Sequence, residues 1–420
     1  MKNEELMRQL INNIQKLTSE QVSEMLTLKE DNLQAALDNI ELVLLNVTKD
    51  KLLSGAVQIP ESASTDITKS LEIAQDFVKS ILPLTHEQEG ALSLEIGKKY
   101  FEFGNWDNAL KHFEGTMQIA QELENIQLEA EAYSRIGYIR AQRSEWDASE
   151  EAFKQSLKLF EQLGDKNEAA RVYYHMGANY FRKGDFEKAT EHYDKSLEIA
   201  QEFNYADIIA RVNLGLGVLS DARGDLDRAV AYYQQGIPRF EEIDDANGLA
   251  SMYHSLGITY TKRNDWEDAG ESYEKCLELA RDYGYTPLLA AAYLNKAEFY
   301  LKLHDTLMAK TYCGKALEMF EGMRDKRGTV HAYKLFGGIL RKAKDWEESA
   351  RFFRVSLRIC KEIADVHTEA EIHHEFGIMY QEMNDRVKAL EHLRQSHQLY
   401  ERLAAHERAE AVGQRISELE

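Results

Sequence analysis

Histidine and glutamate side chains near the C-terminal end of the chain are the first candidates for metal chemistry. His367, Glu371 and His374 are spaced four and three residues apart, which would place them on one face of a helix. Imidazole and carboxylate groups are ligands that zinc accepts. His373 would point about 100° away from its neighbour His374, so the adjacent pair does not chelate easily. We therefore expect these side chains to be solvated or to lie at the edge of a core, and the sequence predicts no metal and no cofactor.

The three cysteines are the other reactive groups. Cys276, Cys313 and Cys360 are too few and too scattered for a disulfide framework or a zinc site, and they fit a reducing compartment. The sequence contains no glycine-rich phosphate loop, no nucleophile elbow and no Cys-x-x-Cys pair. These observations predict a cytoplasmic protein that is not an enzyme.

The charge of the chain narrows the class of partner. The sequence has 51 Lys and Arg against 72 Asp and Glu, a net charge of −21. Such a balance argues against general attraction to nucleic acid or anionic lipid, and no apolar stretch approaches the length of a membrane span. Because long helices exclude proline, the presence of only 4 prolines in 420 residues indicates a mostly helical chain. We expect no nucleic-acid partner and no insertion into a membrane.

A glycine recurs every forty residues through most of the sequence, and a fixed period of this size decides the architecture. The glycine positions are Gly97, Gly137, Gly177, Gly217, Gly257, Gly337 and Gly377, with Ala297 in the remaining repeat. An aromatic residue follows each glycine in most repeats, at Phe113, Phe153, Tyr193, Tyr233, Tyr273 and Phe353, with Cys313 and Leu393 in the other two. Each repeat is predicted to be two antiparallel helices. The glycine lets them approach closely, and the aromatic ring fills the groove beside that contact.

Acidic or amide residues mark the start of each second helix. They occupy one position per repeat, at Asn105, Glu145, Asp185, Asp225, Asp265, Asp305, Asp345 and Asp385, and are predicted to be N-caps. Two features depart from the pattern. With Ala297 and Cys313, repeat six is expected to pack differently from the others. Pro238 lies inside the second helix of repeat four, where we expect a kink or an early end.

The combined pattern resembles the tetratricopeptide repeat. Repeat three carries it almost whole, in Met176–Tyr180 (MGANY), Gly184–Ala189 (GDFEKA) and Tyr193. The common repeat of that family has 34 residues; the forty-residue unit here is similar to those of Pins-like polarity adaptors and Rap-type regulators. The resemblance implies an all-α fold, a right-handed α-solenoid of eight tandem helix pairs with an N-terminal helical segment and a C-terminal capping helix.

Four segments are expected along the chain. Residues 1–50 are predicted to be an N-terminal helical segment and 51–88 a linker and helix that could cap the array as a degenerate repeat. Residues 89–403 hold the eight repeats and 404–420 a capping helix. An apolar stripe in the first segment (Leu33, Leu37, Ile40 and Leu44) is interpreted as a surface that packs on the first repeat, with self-association as the alternative.

The first helices of stacked helix pairs line a concave face that holds extended peptides in such arrays. The predicted groove consists of residues at or beside positions six and three before the repeat glycine and one and four after it: Arg135, Tyr138, Arg171, Tyr174, His175, Phe181, Arg182, Arg211, Leu214, His254, Asn295, Lys334 and Arg341. Arg171 and Arg211 occupy the same position in adjacent repeats. They are expected to form a positive strip that binds the carboxylates of a partner. The alternative is that they pair with acidic residues of the chain itself, for which Glu131, Glu168 and Glu369 are the candidates.

The sequence thus predicts a scaffold or adaptor that binds another protein through an extended or acidic peptide segment. Two alternatives remain, a peptide-responsive sensor that acts on a target protein and an accessory subunit of an enzyme complex. Homo-oligomerisation through the N-terminal helices is the alternative to packing of these helices on the first repeat.

Overall fold

The computed structural model describes residues 85–102 and 104–420, and these residues form α-helices joined by tight turns. They divide between two units, one ending at Asp165 and the other running from Lys166 to Glu420. The segments predicted for residues 1–84 lie outside the described residues. Among the helices that the structure describes, none combines the length and apolarity needed to cross a membrane.

The described part of the first unit contains four helices. They are α1 (His86–Glu102), α2 (Trp106–Glu122), α3 (Ile126–Gln142) and α4 (Trp146–Leu163). Helices α1 and α2 pack as one pair, α3 and α4 pack as the next, and α2 also contacts α3.

The second unit contains six helix pairs and a terminal helix. Its helices are α5 (Lys166–Lys183), α6 (Phe186–Glu202), α7 (Ala206–Ala222), α8 (Leu226–Glu242), α9 (Ala246–Arg263), α10 (Trp266–Asp282), α11 (Thr286–Lys302), α12 (Thr306–Gly322), α13 (Lys326–Lys342), α14 (Trp346–Glu362), α15 (Val366–Glu382), α16 (Arg386–Arg402) and α17 (His406–Leu419). Each odd-numbered helix from α5 to α15 is the first of its pair, and consecutive first helices contact one another. The predicted all-α class of tandem helix pairs is confirmed over residues 85–102 and 104–420.

The repeat glycine meets the repeat aromatic ring inside each regular pair. A Cβ added to Gly177 would come within 2.6 Å of the Tyr193 ring, and one added to Gly137 within 2.8 Å of the Phe153 ring. Real Cβ atoms do not approach other atoms so closely, so the ring occupies the volume that any larger residue would need. Phe153 is completely buried and Tyr193 nearly so. The glycine therefore sets the distance between the two helices of a pair, as the sequence predicts.

Repeat six has different residues at both positions of this contact. Ala297 adds the methyl group that glycine lacks, and Cys313 replaces the ring with a much smaller side chain. Both residues are fully buried, together with Ala309 and Ile339. The methyl group gained on one helix fills part of the volume that the smaller Cys313 side chain leaves on the other, and cores tolerate such paired changes better than a change on one side alone. This compensation is the way in which the pair differs from its neighbours.

Hydroxyl groups also join the two helices of a pair. Ser196 Oγ donates a hydrogen bond of 2.7 Å to the carbonyl oxygen of Ala170, and Ser356 and Ser396 make equivalent 2.8 Å bonds to Val330 and Ala370. These serines are fully buried. Because a buried hydroxyl without a partner is costly, each bond fixes the register of one helix against the other.

The turns follow the predicted capping for the most part. The side chains of Asn105, Asp185, Asp225, Asp305 and Asp385 accept hydrogen bonds from backbone N–H groups in the first turn of the second helix. The expected side-chain cap is wrong for Glu145, Asp265 and Asp345, which make no such bond. Pro238 lies within α8 without shortening it, so the expected early end is also wrong.

Two adjacent glycines of α13 provide a test of the glycine contact. A Cβ at Gly337 would lie 2.6 Å from the Phe353 ring, whereas one at Gly338 would have no atom within 4 Å. Gly337→Ala should therefore lower the free energy of unfolding by about 1–3 kcal/mol through overpacking. Gly338→Ala should raise it by roughly 0.5–1 kcal/mol, because alanine loses less backbone entropy in a helix. Urea unfolding of both variants measures the difference, and equal effects would contradict the steric role of Gly337.

Candidate binding surface

The candidate surface is the side of the second unit formed by its first helices α5, α7, α9, α11, α13 and α15, which we call the first-helix face. Within each helix it comprises the positions six and three residues before the repeat glycine and one and four residues after it. Spacings of three and four residues keep these positions on one side of a helix. Since consecutive first helices are neighbours, equivalent side chains follow one another from repeat to repeat.

The two arginines that the sequence singles out lie at one edge of this face and are already paired with carboxylates. Arg171 Nη2 lies 3.0 Å from Asp207 Oδ2, and Arg171 also contacts Glu168. Arg211 Nη2 lies 2.9 Å from Asp245 Oδ2. Of the acidic partners named from the sequence, only Glu168 is found on these arginines, and it belongs to the same repeat as Arg171. Each pair spans two neighbouring first helices, so the edge alternates in charge along its length.

Two cations of this face, Arg211 and Arg182, keep more of their hydrogen-bonding capacity than Arg171 does. Arg211 remains 45% exposed, and its single ion pair leaves most of its guanidinium donors open to solvent. Arg182, at the end of α5, is exposed, and no carboxylate within the described residues forms an ion pair with it. These two guanidinium groups are the ones that an incoming carboxylate can reach.

The middle of the face is apolar and neutral. Leu214, Val218, Ile258 and Leu294 are half-buried and rest on the core beneath them. His254 bridges α9 and α11, because its Nε2 lies 2.8 Å from Asn295 Nδ2. The amide nitrogen can only donate, so Nε2 must accept and the ring must be neutral. Burial lowers the pKa of His254 to about 4, which keeps that form at neutral pH.

The aromatic residues of α5 continue this row. The rings of Tyr174 and His175 lie 5.2 Å apart, and Tyr174 also contacts Tyr193. Phe181 stacks on Phe186 at the start of the following helix, with ring centroids 5.7 Å apart. Tyr174, His175, Phe181 and Phe186 are all half-buried, so part of each ring lies at the surface.

A cluster of charged side chains lies at the C-terminal end of the first-helix face. Glu371 pairs with Lys334 from α13 and with Arg408 from α17. Burial alone would raise the pKa of Glu371, but Lys334 and Arg408 outweigh this effect and lower it to about 2. Arg341 is buried between Glu375 and Glu382 of α15. These contacts hold successive first helices together by electrostatic pairing.

The two remaining residues of the predicted groove, Arg135 and Tyr138, belong to the first unit. There Arg135 lies 3.8 Å from Glu131, and the Tyr138 ring packs edge-on against Phe101.

The residues considered for metal binding have other partners. His373 is buried, and its Nδ1 lies 2.9 Å from His392 Nδ1. Glu371 is held by its two cations, with His367 Nδ1 at 3.7 Å. Residues 85–102 and 104–420 contain no group of three or more His, Cys, Asp or Glu arranged to hold a metal ion.

A family model described as "Tetratricopeptide repeat" matches the chain along most of its length. It covers residues 89–162, 128–202, 168–242, 208–282, 248–322, 288–362 and 332–402. No curated protein sequence matches the chain.

Three solved structures illustrate the similarity in fold. The signal transduction ATPase with numerous domains and a tetratricopeptide repeat sensor, from Pyrococcus horikoshii, shares 15% identity with a TM-score of 0.58. That match covers 85% of this chain, which spans just over half (56%) of the length of that protein. The apo form of the quorum sensor NprR from B. thuringiensis shares 16% identity with a TM-score of 0.60, over 79% of this chain and 99% of that one. A Rap protein complexed with competence and sporulation factor shares 17% identity with a TM-score of 0.59, over 84% and 94%.

The hydrogen bond between His254 and Asn295 provides a test of the coupling between first helices. Because burial lowers the pKa of His254 from 6.5 to about 4, this residue stabilises the fold fully above pH 6.5 and progressively less as the pH falls towards 4. Between pH 7 and pH 5 the loss should be about 2 kcal/mol. His254→Gln keeps a hydrogen-bonding amide that does not titrate, so it should remove this part of the pH dependence. Urea unfolding of both proteins at the two pH values would contradict the assignment if the losses were equal.

Proposed function

The chain belongs to the tetratricopeptide repeat family, and we propose that it is a non-catalytic interaction protein that binds an extended peptide segment of a partner on the first-helix face. The observation that carries the proposal is the layout of this face, in which a half-buried apolar row runs beside guanidinium groups with open donors. An extended peptide would cover the row formed by Leu214, Val218, Ile258 and Leu294 with its apolar side chains. Arg211, near the start of α7, and Arg182, at the end of α5, would bind carboxylates of the same peptide.

The ion pairs of the face define how such a peptide would bind. Arg211 is held by Asp245 through one nitrogen, so an incoming carboxylate could use the exposed donors without removing Asp245. Arg171 already contacts both Glu168 and Asp207, and therefore has fewer donors to offer. The apolar row would supply most of the affinity by burial, and the arginines would orient the peptide. Location in the cytoplasm is part of this proposal and is supported by Cys276, Cys313 and Cys360, which are all free and buried.

A sensor role is the second candidate, and it is favoured by the polar contacts between first helices. His254 with Asn295, Arg171 with Asp207 and Lys334 with Glu371 each join neighbouring repeats. A peptide that exchanges such contacts would change the spacing of the helices it touches. One structural relative, the Rap protein, was solved in complex with competence and sporulation factor. A bound peptide that changes the radius of gyration in small-angle X-ray scattering would support a sensor, and an unchanged radius would support a scaffold.

Selection of peptides from a random display library tests the binding surface without knowledge of the partner. Peptides that bind the whole chain should lose affinity at least about tenfold for Arg182→Gln/Arg211→Gln, and similarly for Leu294→Ala, because charge-assisted bonds and apolar burial are removed. Fluorescence anisotropy measures the affinities. As a charge-matched control, Lys275→Gln/Arg402→Gln neutralises two exposed cations on the second helices α10 and α16.

Circular dichroism should show the same helicity for all four proteins. Full affinity of the selected peptides for both surface variants would show that the first-helix face is not the binding site.

A further inference from the structure

The outer side of α14 carries four basic residues in one row, which we call the α14 strip. It consists of Arg351, Arg354, Arg358 and Lys361, spaced three, four and three residues apart and all exposed. These spacings place the four side chains on one face of the helix. Arg351 is 69% exposed and Lys361 is 57% exposed.

The equivalent positions on the other second helices of the unit are mostly acidic or neutral. They are Glu191, Asp194, Glu198 and Gln201 on α6, Ala231, Gln234, Pro238 and Glu241 on α8, Glu271, Glu274, Glu278 and Arg281 on α10, Thr311, Gly314, Glu318 and Glu321 on α12, and Glu391, Arg394, Gln398 and Glu401 on α16. No other second helix of the unit has more than one cation in this row, and every one has a net negative row. The α14 strip is therefore a local reversal of sign on a chain of net charge −21.

The cations of the strip are only weakly neutralised by the chain itself. Arg351 has an exposed ion pair with Glu348 at 3.3 Å, and Lys361 lies 3.5 Å from the half-buried carboxylate of Glu369. An exposed pair contributes little to stability, so Glu348 restricts Arg351 only slightly. Arg354 and Arg358 form no ion pair with any described residue. Four like charges along one helix face repel each other, and stability of the helix alone gives no reason for them.

The length and width of the α14 strip limit the size of the ligand that it can bind. Ten residues of helix span about 15 Å, and the strip is one helix wide. Glu318 and Glu321 lie in the same row on α12, and Glu391 and Glu401 lie in the same row on α16. A nucleic acid or a membrane surface extends well beyond 15 Å and would meet these carboxylates. A short acidic segment of about five extended residues fits within the strip.

We propose that the α14 strip is a second docking site, which binds a short acidic segment of a partner protein. The guanidinium groups of Arg354 and Arg358 bind its carboxylates with charge-assisted hydrogen bonds, and Arg351 and Lys361 extend the contact at each end. The site lies on a second helix and does not depend on peptide binding at the first-helix face. It supplies specificity and fast association through charge, because little apolar surface is offered there.

Binding of fluorescein-labelled octaglutamate to the whole chain tests the proposal. At about 20 mM salt, where screening is weak, the peptide should bind, and its affinity should fall as salt is added. Arg354→Gln/Arg358→Gln should weaken binding at least about tenfold, whereas Lys302→Gln/Arg402→Gln, with the same loss of charge, should change it by less than about twofold. Both pairs are exposed, so circular dichroism and the midpoint of thermal unfolding should match those of the unmodified protein.

Two further probes separate a protein segment from other polyanions. Vesicles of equimolar phosphatidylcholine and phosphatidylserine and a single-stranded oligothymidylate should bind more weakly than octaglutamate. Absence of octaglutamate binding, or equal binding to Arg354→Gln/Arg358→Gln, would overturn the docking site. Tighter binding of the vesicles or the oligothymidylate that is lost with Arg354→Gln/Arg358→Gln would overturn the assignment to a protein segment.

Discussion

The contact between the repeat glycine and the ring of the opposite helix is the constraint on which the described architecture depends. With no Cβ at Gly177, the Tyr193 ring can lie against the backbone of the first helix. That contact fixes the distance between the two helices. The hydrogen bond that Ser196 donates to the carbonyl oxygen of Ala170 fixes their register along the helix axes. Once each pair has the same geometry, residues forty positions apart occupy equivalent places. The chemistry of every face of the second unit follows from this equivalence.

Equivalence explains why so much of the fold could be predicted from the sequence. The antiparallel pair, most of the N-caps and the glycine contact each depend on residues within a single repeat. Because the sequence contains eight repeats at one period, each of these features can be recognised several times over. The compensation in repeat six was harder to interpret because it needs two positions at once. Ala297 and Cys313 each depart from the pattern, and only their packing together shows that one departure offsets the other.

The partners of charged residues between repeats could not be predicted in the same way. Arg171 and Arg211 share one position, yet their carboxylate partners do not: Asp207 lies ten residues before its repeat glycine and Asp245 lies twelve. Counting from the glycine therefore gives no sign that they correspond. Asp245 also caps α9 by accepting from the N–H of Gly248, so its position is set by the turn as much as by the arginine. Long side chains that cross a repeat boundary adopt different conformations, and the period predicts only the positions of their Cα atoms.

The repeat period fixes where each side chain begins but not which partner it reaches. The positions of unpaired cations therefore depend on the neighbouring helices. A cation on the first-helix face lies beside another first helix, whose acidic residues can neutralise it, as Glu371 neutralises both Lys334 and Arg408. On the outer side of α14, Lys361 pairs with Glu369 of α15, but the two central cations of the strip form no ion pair with a described residue. Arg354 and Arg358 accordingly keep their charge open to solvent. A surface of alternating charge with an apolar centre favours a peptide held by burial, and an unpaired row of guanidinium groups favours one held by charge. The two sites proposed on the second unit would therefore select different partners, and they share no residue.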